Sequence, residues 1–275
     1  MPAIPALSLP HQQSMPILGF GTYQLKGAVC QKAVQNALSV GYRHIDTADF
    51  YQNHASVGAG IKHSDIPRKD IFVTTKVWRD HLRYEDVLSS CKRSLKEMDL
   101  EYLDLWLIHW PNNDIPIAET FKAMATLVKD GLIKNYGVSN FTIARLKDSL
   151  PHAEIPIANN QVEYHAQLNQ EELRAFCQEH NITLTAYSPL AQGGSVKDEL
   201  LIEIGKRHNK SASQVALRWM VQKNISPVPK ATALERIKNN FEIFDFELTP
   251  TEMAAINDRK VWKRLITWDV AGFDK

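Results

Sequence analysis

Residues 71–109, IFVTTKVWRDHLRYEDVLSSCKRSLKEMDLEYLDLWLIH, contain two short apolar runs on either side of a longer segment. The runs at 71–77 and 103–109 are apolar on both faces, as strands buried inside a parallel sheet are. Between them, apolar side chains recur through Tyr84–Met98 at the spacing of one helix face. The order strand, helix, strand predicts one repeat of a parallel α/β sheet.

The same alternation continues along the whole chain. Eight short runs of β-branched or apolar residues are separated by longer segments with helical period. The predicted strands are residues 17–21, 43–47, 71–77, 103–109, 133–138, 158–162, 183–187 and 226–229. Helices are predicted, for example, at 29–40, 84–98, 171–180 and, after the capping candidates Ser211 and Ser213, 214–223. Eight such repeats predict an α/β fold of the TIM (β/α)8 barrel type.

Two segments lie outside the eight repeats. The first sixteen residues are predicted to form an N-terminal hairpin that closes the barrel floor. The last repeat is followed by extra C-terminal helices and, after Ile256, an irregular tail containing Trp262 and Trp268, which we expect to fold over the active site. No flexible linker and no shift in composition divides the chain, so residues 1–275 are predicted to form a single domain.

Composition excludes several classes of partner. Thirty-two Lys and Arg against 31 Asp and Glu leave a net charge of +1, with no long run of one sign that would track nucleic acid. No segment approaches the about 20 apolar residues that span a bilayer, and the first residues lack the pattern of a secretory signal. Three widely spaced cysteines and ten scattered histidines predict neither disulfides nor a metal site. We therefore expect a cytoplasmic monomer.

Polar residues stand where three successive predicted strands end. Asp46 lies at the end of the second strand and Tyr51 five residues later, Lys76 lies at the end of the third, and His109 at the end of the fourth. Reactive groups of TIM barrels lie at these strand ends, and consecutive strands are neighbours. The four side chains are therefore predicted to meet at one mouth of the barrel.

The chemistry of such a group follows from its charges. A lysine buried in an apolar strand needs a counter-ion, which Asp46 can supply. A protonated Lys76 beside Tyr51 is expected to lower the tyrosine pKa from about 10, making the phenol a proton donor for a carbonyl that accepts hydride. Each residue alone also fits a structural role: Asp46 as a helix cap, Tyr51 as a surface aromatic, His109 as a strand-end histidine. Their conjunction favours the catalytic interpretation.

The chain resembles the aldo-keto reductase family from end to end. The resemblance is carried by MPILGFGTYQL, GYRHIDTADFYQNHASVG, VTTKVW, LDLWLIHWP, GLIKNYGVSNF, NQVEYH, TAYSPLA and VPKATALERIKNNFEIFDFELT, in family order. The short connection after His109 is similar to that of the small bacterial diketogluconate and methylglyoxal reductases. The resemblance implies that Asp46, Tyr51, Lys76 and His109 are the catalytic tetrad, with Tyr51 as proton donor.

The resemblance also implies NADPH/NADP+ as the cofactor. Ser139, Asn140 and Gln161 are placed to bind a carboxamide, and Tyr187 to stack on a flat ring. Lys230 and Arg236 match the clamp for the adenosine phosphate, although ordinary solvated charges would look the same in the sequence. Ala231 replaces a serine common in the family, which removes one hydrogen bond of about 1 kcal/mol and softens the NADPH preference. The remaining residues assigned to the cofactor are Gly21, Thr22, Asp46, Ser188, Leu190, Thr232, Asn239 and Asn240.

The substrate pocket is predicted to be aromatic, lined by Tyr23, Phe50, Trp78, His109 and Trp110. His54 stands where the family commonly has glutamate. The expected reaction is reduction of a small aldehyde or ketone, such as a 2-oxoaldehyde, a keto-sugar acid or an aromatic aldehyde. Two alternatives remain open from the sequence: an NADP(H)-binding regulatory barrel with little turnover, and an isomerase or lyase that uses Lys76 as a Schiff-base amine.

Overall fold

The described part of the chain, residues 4–267 of the computed structural model, begins with an antiparallel hairpin of β1 (Ala6–Ser8) and β2 (Ser14–Pro16). Leu7 pairs with Met15 across this hairpin, and both side chains are buried. The backbone then turns into the barrel through a hydrogen bond from Ile17 N to Pro5 O. The predicted N-terminal hairpin is confirmed.

Eight parallel strands follow in one sheet, in chain order. They are β3 (Phe20–Gly21), β4 (His44–Asp46), β5 (Phe72–Val77), β6 (Leu103–Ile108), β7 (Ile133–Ser139), β8 (Asn159–Glu163), β9 (Thr183–Tyr187) and β10 (Ile225–Pro227). All eight predicted strands are present, and the predicted TIM (β/α)8 barrel is confirmed. Consecutive strands are neighbours, so loops that follow successive strands share one end of the barrel.

The first and last strands close the sheet through a one-sided set of hydrogen bonds. Gly19 N donates to Pro227 O and Gly21 N donates to Pro229 O, each at 3.0 Å. Proline has no N–H to donate in return, so the usual reciprocal ladder cannot form. This is the physical reason why β3 covers only two residues instead of the predicted five. Gly21 is required here, since a Cβ at this position would lie 2.6 Å from Val228 O.

Helices cover the outside of the barrel. They are α1 (Gly27–Val40), α2 (His54–Lys62), α3 (Tyr84–Met98), α4 (Ile117–Lys129), α5 (Ile143–Ser149), α6 (Glu171–Glu179), α7 (Glu199–His208), α8 (Ala212–Gln222), α9 (Leu234–Phe241) and α10 (Pro250–Asn257). Ser211 caps α8 in a reciprocal arrangement with Gln214, so the helix begins two residues earlier than predicted and Ser213 lies inside it. α9 completes the eighth repeat after β10, and among the described residues α10 forms the predicted C-terminal extension.

The buried apolar side chains form one connected cluster that runs from Leu7 to Ile256. Cys30, Cys91 and Cys177 are buried in α1, α3 and α6, and each is a free thiol, as predicted from their spacing. Among the described residues, no helix combines the length and apolar character needed to cross a bilayer. Buried polar side chains, among them Asp46, Lys76 and His109, lie at the carboxyl ends of the strands.

Candidate active site

Lys76 and Asp46 form an ion pair on adjacent strands at the carboxyl end of the barrel. Lys76 Nζ lies 2.7 Å from Asp46 Oδ1 and donates a second hydrogen bond of 2.8 Å to Thr47 O. The lysine side chain is fully buried and the aspartate nearly so. Burial lowers the Lys76 pKa, and the attraction of Asp46 opposes that shift. The predicted pairing of these two residues is present in the structure.

Tyr51 lies on a short 3-10 turn, Asp49–Tyr51, that follows β4. Its ring centroid is 5.2 Å from Lys76 Nζ and 5.6 Å from the His109 ring. The turn is held from both sides: Asn53 accepts from the Thr47 hydroxyl and donates to Thr22 O, while the Lys26 ammonium donates to Tyr51 O. The structure therefore brings the four predicted tetrad residues together at one mouth.

The pKa of Tyr51 is raised well above 10, first by burial and then by the negative charge of Asp46. The prediction that Lys76 lowers this pKa is wrong in direction. The reason is that burial of the phenol, and then the negative charge of Asp46, outweigh the attraction of the Lys76 ammonium, which is itself paired with Asp46 at 2.7 Å. Tyr51 is therefore a protonated phenol across the ordinary pH range.

His109 follows β6 and is only 8% exposed. Burial, and then the nearby Lys76 charge, hold its pKa well below 6.5, so the imidazole is neutral. Its Nδ1 has no hydrogen-bond partner among residues 4–267, and its backbone oxygen accepts from Asn140 at 2.9 Å. A neutral imidazole keeps one N–H donor, which makes it a hydrogen-bond donor without a charge.

Aromatic rings surround this group, as predicted. Phe50 and Trp78 stack with centroids 4.2 Å apart, and Trp78 lies 5.4 Å from the His109 ring. The Tyr23 ring lies 5.0 Å from the Tyr51 ring and is 45% exposed. Trp110 is almost fully buried directly after His109. The mouth therefore has apolar walls around a small set of polar groups, the usual make-up of a small-molecule site.

Four residues predicted to bind a carboxamide and a flat ring form one hydrogen-bonded network beside the tetrad. Gln161 Nε2 donates to Asp46 Oδ2 at 2.7 Å, and the Ser139 hydroxyl donates to Gln161 O at 2.8 Å. Asn140 donates to Ser139 Oγ and accepts from the Tyr187 hydroxyl at 2.7 Å. The network fixes the positions of these side chains next to the Asp46 carboxylate.

The residues predicted to hold the adenosine phosphate lie after β10. Lys230 and Arg236 are exposed, and neither forms an ion pair with any described residue. Ala231 and Asn240 are buried, while Thr232 is exposed. Asn239 accepts a hydrogen bond from Ser211 Oγ at 3.0 Å. Two cations without a counter-ion at the start of α9 fit a phosphate ligand.

The other predicted cofactor residues lie at neighbouring strand ends. Thr22 donates through its hydroxyl to Asp46 O at 2.9 Å, one residue after Gly21. Ser188 has a left-handed backbone, with φ of 49°, directly after β9, and Leu190 directly precedes the 3-10 segment Ala191–Lys197. All of these residues face the same end of the barrel as the tetrad.

His54 occupies a buried position between three elements, and both ring nitrogens have partners. Nδ1 lies 3.0 Å from Glu97 Oε2 of α3, and Nε2 lies 2.8 Å from Thr75 Oγ1 of β5. Asp49 completes a group whose ligand atoms lie within 4.8 Å, but its carboxylate is already paired with Arg93. We interpret His54 as a structural residue that joins α2 to α3 and β5.

One buried carboxylate at the mouth was missed by the sequence analysis. Glu163, at the end of β8, accepts hydrogen bonds from Leu265 N at 2.8 Å and Ile266 N at 2.9 Å, and it lies 3.0 Å from His165 Nε2. These bonds hold its pKa below 4.5 against the opposing effect of burial. Glu163 therefore holds the C-terminal tail against the barrel mouth in its ionised form.

Removing one acceptor from this contact should release the tail. In Glu163→Gln the side chain has one carbonyl oxygen for two backbone N–H groups, and a lost bond to a charged acceptor weakens the contact by about 1.5–3 kcal/mol. We expect faster amide hydrogen exchange at residues 263–266 and faster proteolysis within the tail. Glu179→Gln, an exposed change at the end of α6, is the control. Unchanged exchange in Glu163→Gln would contradict the contact.

Of the two tryptophans in the C-terminal tail, Trp262 lies within the described residues. Trp262 is 64% exposed and lines a surface cleft with Phe141 and Leu173, a cleft whose lining includes none of the tetrad residues. The prediction that Trp262 folds over the active site is therefore wrong. Trp268 lies outside the described residues. The part of the tail at the mouth is residues 263–266, which the Glu163 contact places there.

Comparisons with known proteins give a consistent result. The sequence model of the aldo/keto reductase family matches residues 17–260. The chain is 43% identical to glyoxal reductase of Bacillus subtilis over 244 residues, which is 88% of each chain. It is similar to a solved putative 2,5-diketo-D-gluconic acid reductase B, with a TM-score of 0.93, 39% identity and coverage of 98% and 96%. It is also similar to a Bombyx mori aldo-keto reductase solved in complex with NADP, with a TM-score of 0.88, 33% identity and coverage of 94% and 93%.

Proposed function

The chain belongs to the aldo-keto reductase family, and we propose that it reduces a small aldehyde or ketone to the alcohol with NADPH as hydride donor and Tyr51 as proton donor. The observation that carries this proposal is the buried Lys76–Asp46 pair beside Tyr51 and His109. Burying charged groups costs folding free energy, and ionisable residues with shifted pKa values in a cleft are candidates for catalysis.

The raised pKa of Tyr51 keeps the phenol in the protonated form that proton donation requires. The phenol stays protonated until it meets a stronger base, and an alkoxide formed from a carbonyl is such a base. The proton then moves from the Tyr51 oxygen to the alkoxide oxygen, leaving a phenolate. Lys76, whose ammonium lies 5.2 Å from the ring, stabilises that phenolate at the moment it forms.

Asp46 has two tasks in this scheme. It keeps Lys76 protonated inside an apolar wall, because an ammonium buried alone would lose its proton. It also accepts from Gln161 and so fixes the amide that we assign to the cofactor. His109, neutral and largely buried, donates a hydrogen bond to the carbonyl oxygen and orients it toward Tyr51.

The residues present fit a nicotinamide cofactor. Ser139, Asn140 and Gln161 provide amide and hydroxyl groups for a carboxamide, and Tyr187 provides the flat face beside them. Lys230 and Arg236, both exposed and without a carboxylate partner in the described part of the chain, suit the extra phosphate of NADPH. When bound, NADPH supplies the hydride. The aromatic walls exclude water from the same mouth.

Removing the two cations should weaken NADPH far more than NADH. The double variant Lys230→Ala, Arg236→Ala removes two charged hydrogen-bond donors, for which we expect an increase in the NADPH Kd of roughly 10- to 100-fold. The NADH Kd should change less than about threefold. Fluorescence titration of the two coenzymes measures both, and Lys238→Ala, whose ammonium pairs with Glu235, is the control. An equal loss for both coenzymes would contradict the phosphate assignment.

The reaction itself is tested by cofactor oxidation. Purified protein with NADPH and methylglyoxal, diketogluconate or an aromatic aldehyde should lose absorbance at the wavelength of the reduced nicotinamide. No turnover across a broad panel, with tight NADPH binding and no single-turnover transfer, would favour the regulatory alternative. A Schiff base is disfavoured because Lys76 Nζ is fully buried and donates to Asp46 and Thr47; borohydride trapping of an adduct would reverse that conclusion.

We also propose that residues 1–275 act as a single domain and a monomer. The single buried cluster from Leu7 to Ile256 supports the first statement. A cooperative, single unfolding transition and a sedimentation mass near 31.2 kDa are the expected results.

A further inference from the structure

Two arginines lie on either side of the loop that follows His109. Arg79 comes directly after Trp78 and begins a short 3-10 turn, and Arg145 lies in α5, after β7. Both are anchored to the loop between them: Asn112 donates to Arg79 O at 3.0 Å, and Arg145 donates to Asn113 Oδ1 at 2.8 Å. The Arg79 backbone and the Arg145 guanidinium group are thus held against one loop, at the end of the barrel where the tetrad lies.

Arg79 is partly buried, and two of its guanidinium nitrogens are buried without hydrogen-bond partners. Its side chain is 18% exposed, and Nε and one terminal nitrogen have no hydrogen-bond partner in residues 4–267. The Asp80 carboxylate lies 3.8 Å from Nε, which is too far for a hydrogen bond. Buried donors are satisfied almost everywhere in proteins, so an orphaned charged donor calls for a ligand or an ion.

The positive charges of Arg79 and Arg145 also repel each other. Arg145 is partly buried, and its pKa is lowered first by that burial and then by the positive charge of Arg79, while Asp148 opposes the shift. Two like charges near each other in a partly dry environment repel more strongly than they would in water. An anion between them would relieve the repulsion and supply the missing acceptors together.

We propose that Arg79 and Arg145 form an oxyanion subsite beside the catalytic mouth, and that it binds a carboxylate or phosphate group carried by the carbonyl substrate. Planar guanidinium groups match the geometry of both anions, and paired N–H donors give them orientation as well as affinity. We favour an anionic group of the substrate over a free anion as the ligand, because Trp78, whose ring contacts His109, directly precedes Arg79. This assignment rests on the proposed carbonyl reduction and narrows its substrate class.

The test compares matched substrates that differ only in charge. Aliphatic ω-oxo carboxylates of increasing length are paired with neutral aldehydes of the same length, and kcat/KM is measured for each with NADPH. At the chain length that reaches the subsite, we expect the wild-type kcat/KM to be roughly 10- to 100-fold higher for the anionic substrate than for the neutral one. This is the effect of one or two hydrogen bonds to a charged group. The variant Arg79→Gln, Arg145→Gln should bring this ratio close to 1.

Two further variants distinguish a loss of anion binding from a structural effect of the substitutions. Arg79→Lys keeps the charge but not the planar pair of donors, so it should retain only part of the preference. Arg207→Gln removes an exposed arginine of α7 that pairs with Glu203, and its ratio should equal that of the wild type. Arg145→Gln loses the hydrogen bond to Asn113, so this single variant is the reference for the melting temperature in anion-free buffer. Arg79→Gln removes guanidinium donors that have no hydrogen-bond partner among residues 4–267, so the double variant should not melt below that reference.

The outcomes are distinct. No charge preference at any chain length, or an unchanged ratio in the double variant, would overturn the assignment to the substrate. If inorganic phosphate raises the melting temperature of the wild type more than that of the double variant while the ratio stays near 1, the anion is a free one and the substrate assignment is wrong. The phosphate-induced change in melting temperature must be compared between the wild type and the double variant, because phosphate is also expected to bind Lys230 and Arg236. Failure of both the anionic and the neutral aldehydes would instead count against carbonyl reduction.

Discussion

Replacing Tyr51 by phenylalanine should lower kcat by about two to four orders of magnitude, the usual contribution of a positioned general acid, while the NADPH Kd stays unchanged. The change removes only the hydroxyl oxygen. That hydroxyl makes no hydrogen bond to any described residue, so no buried partner is left unsatisfied. The ring contacts with Tyr23 and His109 remain available to the phenylalanine. The loss should therefore appear in the chemical step and not in folding or in cofactor binding.

Single-turnover kinetics and cofactor titration measure the two quantities separately. Tyr102→Phe is the matched control, since Tyr102 contacts Arg68 and Lys134 through its ring and lies outside the mouth. Its kcat should equal that of the wild type. Retention of more than about a tenth of the wild-type kcat in Tyr51→Phe would mean that the proton reaches the alkoxide from another group, such as His109 or water.

The raised pKa of Tyr51 adds a pH signature to the same experiment. A group whose pKa is raised above 10 is protonated at every lower pH, so ionisation of Tyr51 should cause no fall in the rate of carbonyl reduction from about pH 6 to pH 10. Because burial lowers the pKa of Lys76, any fall in that range would come from loss of the Lys76 proton. A phenol acidified by Lys76 would instead become a phenolate below pH 10, and the phenolate absorbance of the wild type, titrated with Tyr51→Phe as the reference, distinguishes the two descriptions.

The barrel and its reactive end were predictable because they depend on local sequence patterns. Runs such as 103–109 are buried on both faces, and a lysine inside such a run, as in VTTKVW, needs a counter-charge on a neighbouring strand. Strand ends were less predictable, as β3 shows: its partner carbonyls belong to Pro227 and Pro229, far along the chain. The identity of the four tetrad positions rests on residue type and strand order, both of which the sequence contains.

Other features depend on contacts between distant residues and could not be predicted. The pKa direction of Tyr51 depends on how completely the ring is buried and on how far Asp46 cancels Lys76. The Glu163 contact joins residues 102 and 103 positions apart, and no periodicity marks the tail that it holds. The proximity of Arg79 and Arg145 likewise depends on tertiary contacts, because the turn that holds Arg79 and the helix that holds Arg145 both contact the loop after His109.

Lys76→Met should both destabilise the fold and reduce the rate. The change leaves the Asp46 carboxylate, 3% exposed, with Gln161 as the one remaining side-chain partner among the described residues. Breaking a buried ion pair by removing one partner costs about 3–5 kcal/mol of the free energy of unfolding. Urea unfolding measures this loss, and Lys62→Met, which breaks the exposed pair with Asp99, is the control, with an expected change below about 1 kcal/mol.

The double variant Lys76→Met, Asp46→Asn separates the two effects of that pair. Removing both charges leaves no uncompensated ion in the wall, so most of the stability should return, to within about 1–2 kcal/mol of the wild type. The rate should not return, because the phenolate left on Tyr51 after proton transfer would have no cation beside it. A double variant that recovers stability and kcat together would show that the ammonium serves only to balance Asp46. Recovery of stability alone, with an unchanged NADPH Kd that shows the Asp46–Gln161 contact to be dispensable, would assign the charge of Lys76 to the chemical step.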